Sequence, residues 1–501
     1  MWVAYHSHRD VVTLSGQWHL TLVIHQCVQP DCPNYHRRQR PEEEGRWALP
    51  HGEFGLDIIA LIGQWRFREH RSVPEMHQAL QARGISIAER SVTHLMHRYE
   101  ELVALRIADQ ERVKACLQKQ GRVMLALDGL QPDVGHEVLW VVRDCLSEEI
   151  LLARPLLSRT QGDLTALLQE VKHLLEQWKV PVKGVISDGE ETIGSAVAFV
   201  FPDIPYQRCQ FHYLKDATKP LYEADRNAKT ELKKQLRGVR PIERALEEHP
   251  TPENEAIRGY CLAVRASLTD DGRSPLDAPG LRLYERVSQI SDSIGRIQGK
   301  KSLPPALKQL SQLLAKGLRA TAALWPPLQK ASHLVRQAAQ ILANEPQRTG
   351  AQVRKRYLAF VAQMQERQAD LGPLGEAIKH FCHITKNFAP GLFQCYDSEG
   401  LPCTNNELEQ CFGTARVHER RATGRRGAIP GVVVRGSVRV VAALTSKQHL
   451  FSPEELRPCD YLRWRELRAQ LQQREECRKQ QFRFRKDPQA YLAALEAQLL
   501  M

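Results

Sequence analysis

The chain has 501 residues, 42% of them hydrophobic and 26% charged, with 28 Pro and 30 Gly. It is too long for one ordinary domain, and the composition excludes a disordered, collagen-like or low-complexity protein. Lys plus Arg number 70 and Asp plus Glu 58, a formal net charge of +12, which favours an anionic partner, nucleic acid being the commonest.

No apolar run approaches the roughly 18 residues that a membrane span needs. The opening MWVAYHSHRDVV lacks a basic-then-apolar leader pattern. The expectation is a soluble, cytoplasmic protein. Twelve cysteines in this length, scattered except at Cys27 and Cys32, read as reduced thiols.

Residues 1–50 mix short apolar stretches with His, Cys and Pro, and VVTLSGQWHLTLVIHQC alternates like a hairpin. Cys27 and Cys32 follow, with His25 and His36 nearby. This set permits a zinc knuckle, or is a pair of unligated thiols in a small β-unit. Residues 54–118 read as a helical DNA-binding domain. Helices are expected over 54–70, 73–83 and 88–105, with Gly84 as the stop between the second and third. A short helix, a glycine turn and a second helix make a helix-turn-helix, whose outer face carries Arg90, Ser91, Thr93, His94 and Arg98. A plain three-helix packing unit is the alternative.

Residues 120–215 change to a βββαβαβ order: strands at 123–128, 138–143 and 150–157, a helix at 162–178, a strand at 182–187, a helix at 192–201 and a strand at 204–209. Residues 216–400 are helical in pattern and basic around 229–244. Residues 401–450 hold a further helix, an Arg/Gly-rich stretch and a β-branched run, and 451–501 form a charged helical tail. The fold class is therefore α/β with a large helical insertion.

Two apolar strands each end in Asp-Gly, at Asp128 and Asp188, about sixty residues apart. A strand end presents a carboxylate at the sheet rim, and the following glycine lets the backbone turn away. If the strands are neighbours, the two anions need a divalent cation to offset their repulsion, and oxygen donors favour Mg²⁺ or Mn²⁺. Such a site supports two-metal phosphodiester chemistry. A third acid is found in Thr404-Asn405-Asn406-Glu407-Leu408-Glu409, where Leu408, Phe412 and Ala415 mark a helix; Glu407 and Glu409 both remain open on the residues alone. From 416 to 439 there are seven Arg against one acid, Glu419. Arg416, Arg420, Arg421, Arg425 and Arg426 suit a bound phosphate backbone; a solvated basic face is the plain alternative.

This order of strands and acids resembles the ribonuclease-H-like core of DDE transposases, closest to Mutator-like and related bacterial insertion-sequence enzymes, over residues 120–440. Cys209-Gln-Phe-His212 matches that family's C-x-x-H, and Thr404-Asn405-Asn406-x-x-Glu409 matches its T-N-N-x-x-E. The resemblance implies Asp128, Asp188 and Glu409 as ligands of two Mg²⁺ ions, and Cys209 with His212 as a pair near the site. It implies DNA cleavage and strand transfer, element ends and target DNA as partners, a homo-oligomer on DNA and a nucleoid-associated location. The rivals are a ribonuclease-H-like nuclease that cuts without joining, a non-catalytic DNA-binding regulator, and a zinc-dependent enzyme built on the Cys/His positions.

Overall fold

The computed structural model describes residues 2–131, 137–157, 159–424, 430–458 and 460–500. The chain divides into two units, one of Met1–Val185, Glu191–Ile204 and Asn406–Met501, the other of Ile186–Glu190 and Pro205–Asn405.

The first unit begins with an antiparallel hairpin, β1 (Trp2–Thr13) and β2 (Gly16–Gln26), with the short β3 (Arg38–Gln39) beside β2. Val11, Leu22 and Ile24 form its buried side. A single turn, α1 (Glu44–Trp47), leads to α2 (Leu56–Phe67), α3 (Val73–Gln81) and α4 (Glu89–Ile107). These three share a core of Ile58, Ile62, Trp65, Met76, Leu80, Val92 and Met96. Ser72 and Glu75 close a reciprocal cap on α3, and Gly84 takes φ +78° in the turn before α4.

The sequence pattern shows no helix after α4, yet α5 (Gln110–Gln120) is present, capped by Asp109 and ended by Gly121; only Val113 and Leu117 are buried, too few to set a periodicity. Then come β4 (Val123–Leu130), β5 (Val138–Asp144), β6 (Ile150–Leu156), α6 (Gln161–Gln177), β7 (Val182–Ser187) and α7 (Glu191–Val200). β4 pairs antiparallel with β5, and β5 with β6. With β8 (Tyr206–Arg208), which lies in the second unit beside the end of β7, they make one mixed sheet of order β6-β5-β4-β7-β8. β5 is buried along its whole length, as its continuous apolar run requires.

The second unit continues as helices α8 (Gln210–Ala217), α9 (Lys219–Gln235), α10 (Val239–Glu247), α11 (Pro252–Thr269), α12 (Pro279–Gln298), α13 (Pro305–Ala320), α14 (Trp325–Ala343), α15 (Gly350–Glu366) and α16 (Gly375–Phe388). One apolar core joins them, with Leu232, Leu310, Trp325 and Phe381 inside. Tyr213 places a polar knot there: its hydroxyl bonds those of Tyr357 at 2.6 Å and Thr385 at 2.7 Å.

The chain returns to the first unit as α17 (Asn406–Thr423), α18 (Pro430–Gln448), α19 (Tyr461–Lys486) and α20 (Pro488–Leu499). The β-branched run after the Arg/Gly stretch is thus a helix. Val434, Val438, Val441 and Ala442 are buried at helical spacing, which overrides the strand preference of valine. No helix among the described residues is long and apolar enough to cross a membrane.

Candidate functional site

Asp128 lies inside β4 rather than at its end. The ladder to β5 runs on through Gly129↔Trp140 and Leu130↔Leu139, with Asp128 opposite Val141. The Asp128 side chain is 9% exposed, and its Oδ1 accepts the Gly129 N–H at 2.7 Å. Gly129 does not turn the chain here; a Cβ there would stand 3.0 Å from Val138 and 3.2 Å from Trp140, so close packing on β5 accounts for the glycine.

Asp188 does follow its strand directly. Its Oδ1 accepts the Glu190 N–H at 3.1 Å, and Gly189 takes φ +93° with Phe388 packed where a Cβ would go. The end of β7 is pinned within the second unit. Ser187 Oγ meets the Tyr206 hydroxyl at 2.7 Å, and the Ser187 carbonyl accepts the Cys209 N–H at 2.8 Å.

Cys209 is fully buried at the start of α8, where its Sγ accepts the Asn405 N–H at 3.2 Å. The next residue repeats the tie: the Gln210 N–H donates to the Cys403 carbonyl at 2.9 Å, and its side-chain amide donates to the Tyr396 hydroxyl at 2.8 Å. Cys209 therefore anchors the Thr404-Asn405 segment. His212 is half-buried, edge-on to Phe211.

On α17, Leu408, Phe412 and Ala415 are buried as their spacing requires, and the helix packs on β4. The two acids of its first turn part company. Glu407 is exposed and ion-paired at 2.9 Å with Arg143, a buried residue of β5. Glu409 is half-buried. Further along, Arg416, Arg420 and Arg421 are exposed. Arg425 and Arg426 lie outside the described residues.

On α4, Arg90 and His94 are exposed. Thr93 is half-buried, its hydroxyl directed to the Glu89 carbonyl at 3.4 Å. Arg98 is not on the open face: it pairs with buried Glu101 at 2.6 Å and lies over the Trp464 ring. Two members of the basic run at 229–244 are likewise engaged. Lys229 is buried, pairing with Asp271 at 3.0 Å and donating to the Asp270 carbonyl, and Arg240 pairs with Glu243 at 2.8 Å.

Sequence reasoning misses a buried ionic seam that fastens α2 and α4 to α17 and α18. Glu100, with no exposed surface, accepts from Arg435 Nε and Arg439 Nε, each at 2.7 Å, and Glu101 accepts from Arg435 at 3.1 Å. Burial alone would raise the Glu100 carboxyl, but Arg439 and Arg435 hold it down at about 2. Arg66 of α2 donates to the Ala422 carbonyl at 3.3 Å and faces Glu419 at 3.8 Å. Phe67 stacks on His418, whose burial, with Arg66 nearby, holds its imidazole down to about 2. The one signal in the sequence is a pair of acids, Glu100-Glu101, on the otherwise apolar stretch Tyr99–Val103.

Around Cys27 and Cys32 the backbone is tightly turned. The Cys27 carbonyl accepts the His36 N–H at 3.0 Å, Cys32 Sγ accepts the Asn34 N–H at 3.4 Å, and His36 Nδ1 is bonded to the Gln26 amide at 2.7 Å. Among the described residues, no three His, Cys, Asp or Glu side chains form a group that could hold a metal ion, so neither Cys27, Cys32, His25 and His36 nor Asp128, Asp188 and Glu409 are assembled as a ligand set in this structure. No protein-family model matches the chain, and no curated protein matches it.

Proposed function

We propose that the protein is a DDE-type transposase with a ribonuclease-H-like core, cutting DNA at the ends of a mobile element to free a 3′-hydroxyl and joining it to target DNA. The observation that carries this reading is the strand order β6-β5-β4-β7-β8, in which the adjacent strands β4 and β7 bring one aspartate each: Asp128 within the first and Asp188 immediately after the second. Glu407 is ion-paired with Arg143, and the match to T-N-N-x-x-E is what points to Glu409 as the third acid.

All three donors are carboxylates, a set that suits Mg²⁺ or Mn²⁺ over zinc. In this reading Asp128, Asp188 and Glu409 would hold two such ions. Bound there, the ions would supply activation of the attacking water or 3′-hydroxyl and stabilisation of the leaving oxygen. The rest falls to the protein's own side chains. Arg90 and His94 on α4 meet the element ends in the groove, and Arg416, Arg420 and Arg421 hold the phosphates. No Ser, Tyr or Cys nucleophile is required. Pairing two ends calls for a homo-oligomer on DNA, and the working location is the nucleoid.

The test is a strand-transfer assay with oligonucleotides ending in a 3′-hydroxyl, with Mg²⁺ added. Asp128→Asn and Asp188→Asn should each lose joining almost completely while retaining DNA binding. Cutting without joining by the unaltered protein would favour a nuclease on the same scaffold. Binding with neither cutting nor joining would reduce the protein to a DNA-binding regulator.

A further inference from the structure

Behind the helix-turn-helix, within the first unit, a cleft of about 650 Å³ opens between α3, α4, the end of α17, α18 and α19. That volume lies in the roughly 300–1,000 Å³ range of ligand pockets. Its lining includes five arginines, Arg66, Arg421, Arg435, Arg439 and Arg478, against two acids, Glu75 and Glu475. Both acids are already engaged. Glu75 accepts from the Ser72 N–H and hydroxyl, each at 2.7 Å, completing the cap on α3, and Glu475 pairs with Lys479 at 3.7 Å.

Three of the arginines form a fixed floor. Their charge is largely met from behind, Arg435 and Arg439 by Glu100, Arg435 also by Glu101, and Arg66 and Arg439 by Glu419, so the charge left for a ligand is that of the rim. Arg66 is 2% exposed, and its Nε is buried with no hydrogen-bond partner among the described residues. Arg421, exposed, and Arg478, half-buried, stand at the rim. Among the described residues, the lining includes no Phe, Tyr or Trp ring to stack on a base. Thr93 of α4, the helix that presents Arg90 and His94, borders the same cleft.

We infer that this cleft is a binding site for the phosphodiester backbone of duplex DNA flanking the segment met by α4. This rests on the DNA-binding part of the function proposed above and names where the backbone is gripped. The site is electrostatic and blind to base identity, and it makes α19 part of the DNA-binding surface.

The experiment measures binding of a random-sequence duplex by fluorescence anisotropy across a range of salt concentrations. Replacing both rim arginines, Arg421→Ala with Arg478→Ala, should weaken binding by about tenfold or more and reduce the slope of log affinity against log salt by roughly 2, about 0.9 for each phosphate no longer neutralised. Arg421→Glu alone, a change at an exposed position, should give a loss in the same direction with an unchanged circular dichroism spectrum. Unaltered affinity and slope in both folded variants would overturn the cleft and remove Arg421 from the phosphate contacts, while a loss of binding in Arg416→Ala with Arg420→Ala would leave the DNA-binding reading standing. If the unaltered protein bound no duplex at all, both would fall.

Discussion

One short stretch of chain sends its arginines to opposite fates. On α17, Arg416, Arg420 and Arg421 face solvent, whereas on α18 Arg435 and Arg439 are buried to 7% and 5% exposure against Glu100 and Glu101. The two sets are indistinguishable by composition. What separates them is a pair of acids more than 300 residues upstream. A local density of positive charge therefore marks an anion-binding surface only after the internal carboxylates have taken their share.

The buried set should be the more fragile. Glu100→Ala leaves two arginines inside the protein without their shared carboxylate, and the expected loss is about 3–5 kcal/mol, read from urea denaturation. A loss below about 1 kcal/mol would mean that water reaches the seam. The close approach that makes the seam possible is a second point of attack. Gly63 on α2 lies so near the Tyr99 ring of α4 that a Cβ would run into it. Gly63→Ala should cost about 1–3 kcal/mol through forced separation of the two helices.

Acid should reach the same seam. Burial holds folded His418 down to about 2 and His97 to about 3, against about 6.5 for both in the unfolded chain. Between those limits the unfolded state binds more protons. Stability is therefore intact above about pH 6.5 and falls on acidification, by at most about 1.4 kcal/mol per pH unit for each histidine. Glu100, depressed in the folded state, adds a further loss below about pH 4.5. Urea midpoints from about pH 7.5 down to about pH 5 should fall, and less steeply in a His418→Gln variant; equal slopes would assign the acid sensitivity elsewhere. The smallest effect belongs to the exposed set. Arg420→Ala should shift stability by no more than about 0.5 kcal/mol, yet weaken duplex binding if these residues meet phosphate.

Most of the sheet and of the flanking helices was legible because their apolar patterns are local. β4, β5 and β7 are continuous runs, and α6 carries its buried leucines at helical spacing. The unread parts depend on partners. α5 has only two buried apolar side chains of its own, and α18 needed its packing surface to turn valines into a helix. Asp128 could be placed on its strand but not within the ladder, since the strand's end is decided by Leu139 and Trp140 opposite. At the candidate site, spacing alone leaves Glu407 and Glu409 open; that Glu407 meets Arg143, 264 residues away in the chain, was out of reach of a local pattern. Arg98 and Lys229 looked like surface cations for the same reason, their acids being invisible to a local pattern.

The 18 residues of α17 form a rod about 27 Å long. Its far end is bolted to α2 through the Ala422 carbonyl and the Phe67–His418 stack, and its near end rests on β5 through Glu407. A stiff rod held at both ends transmits a push instead of absorbing it. A tilt of the helix trio around α2 would be carried along α17 to its Glu407–Arg143 contact with β5.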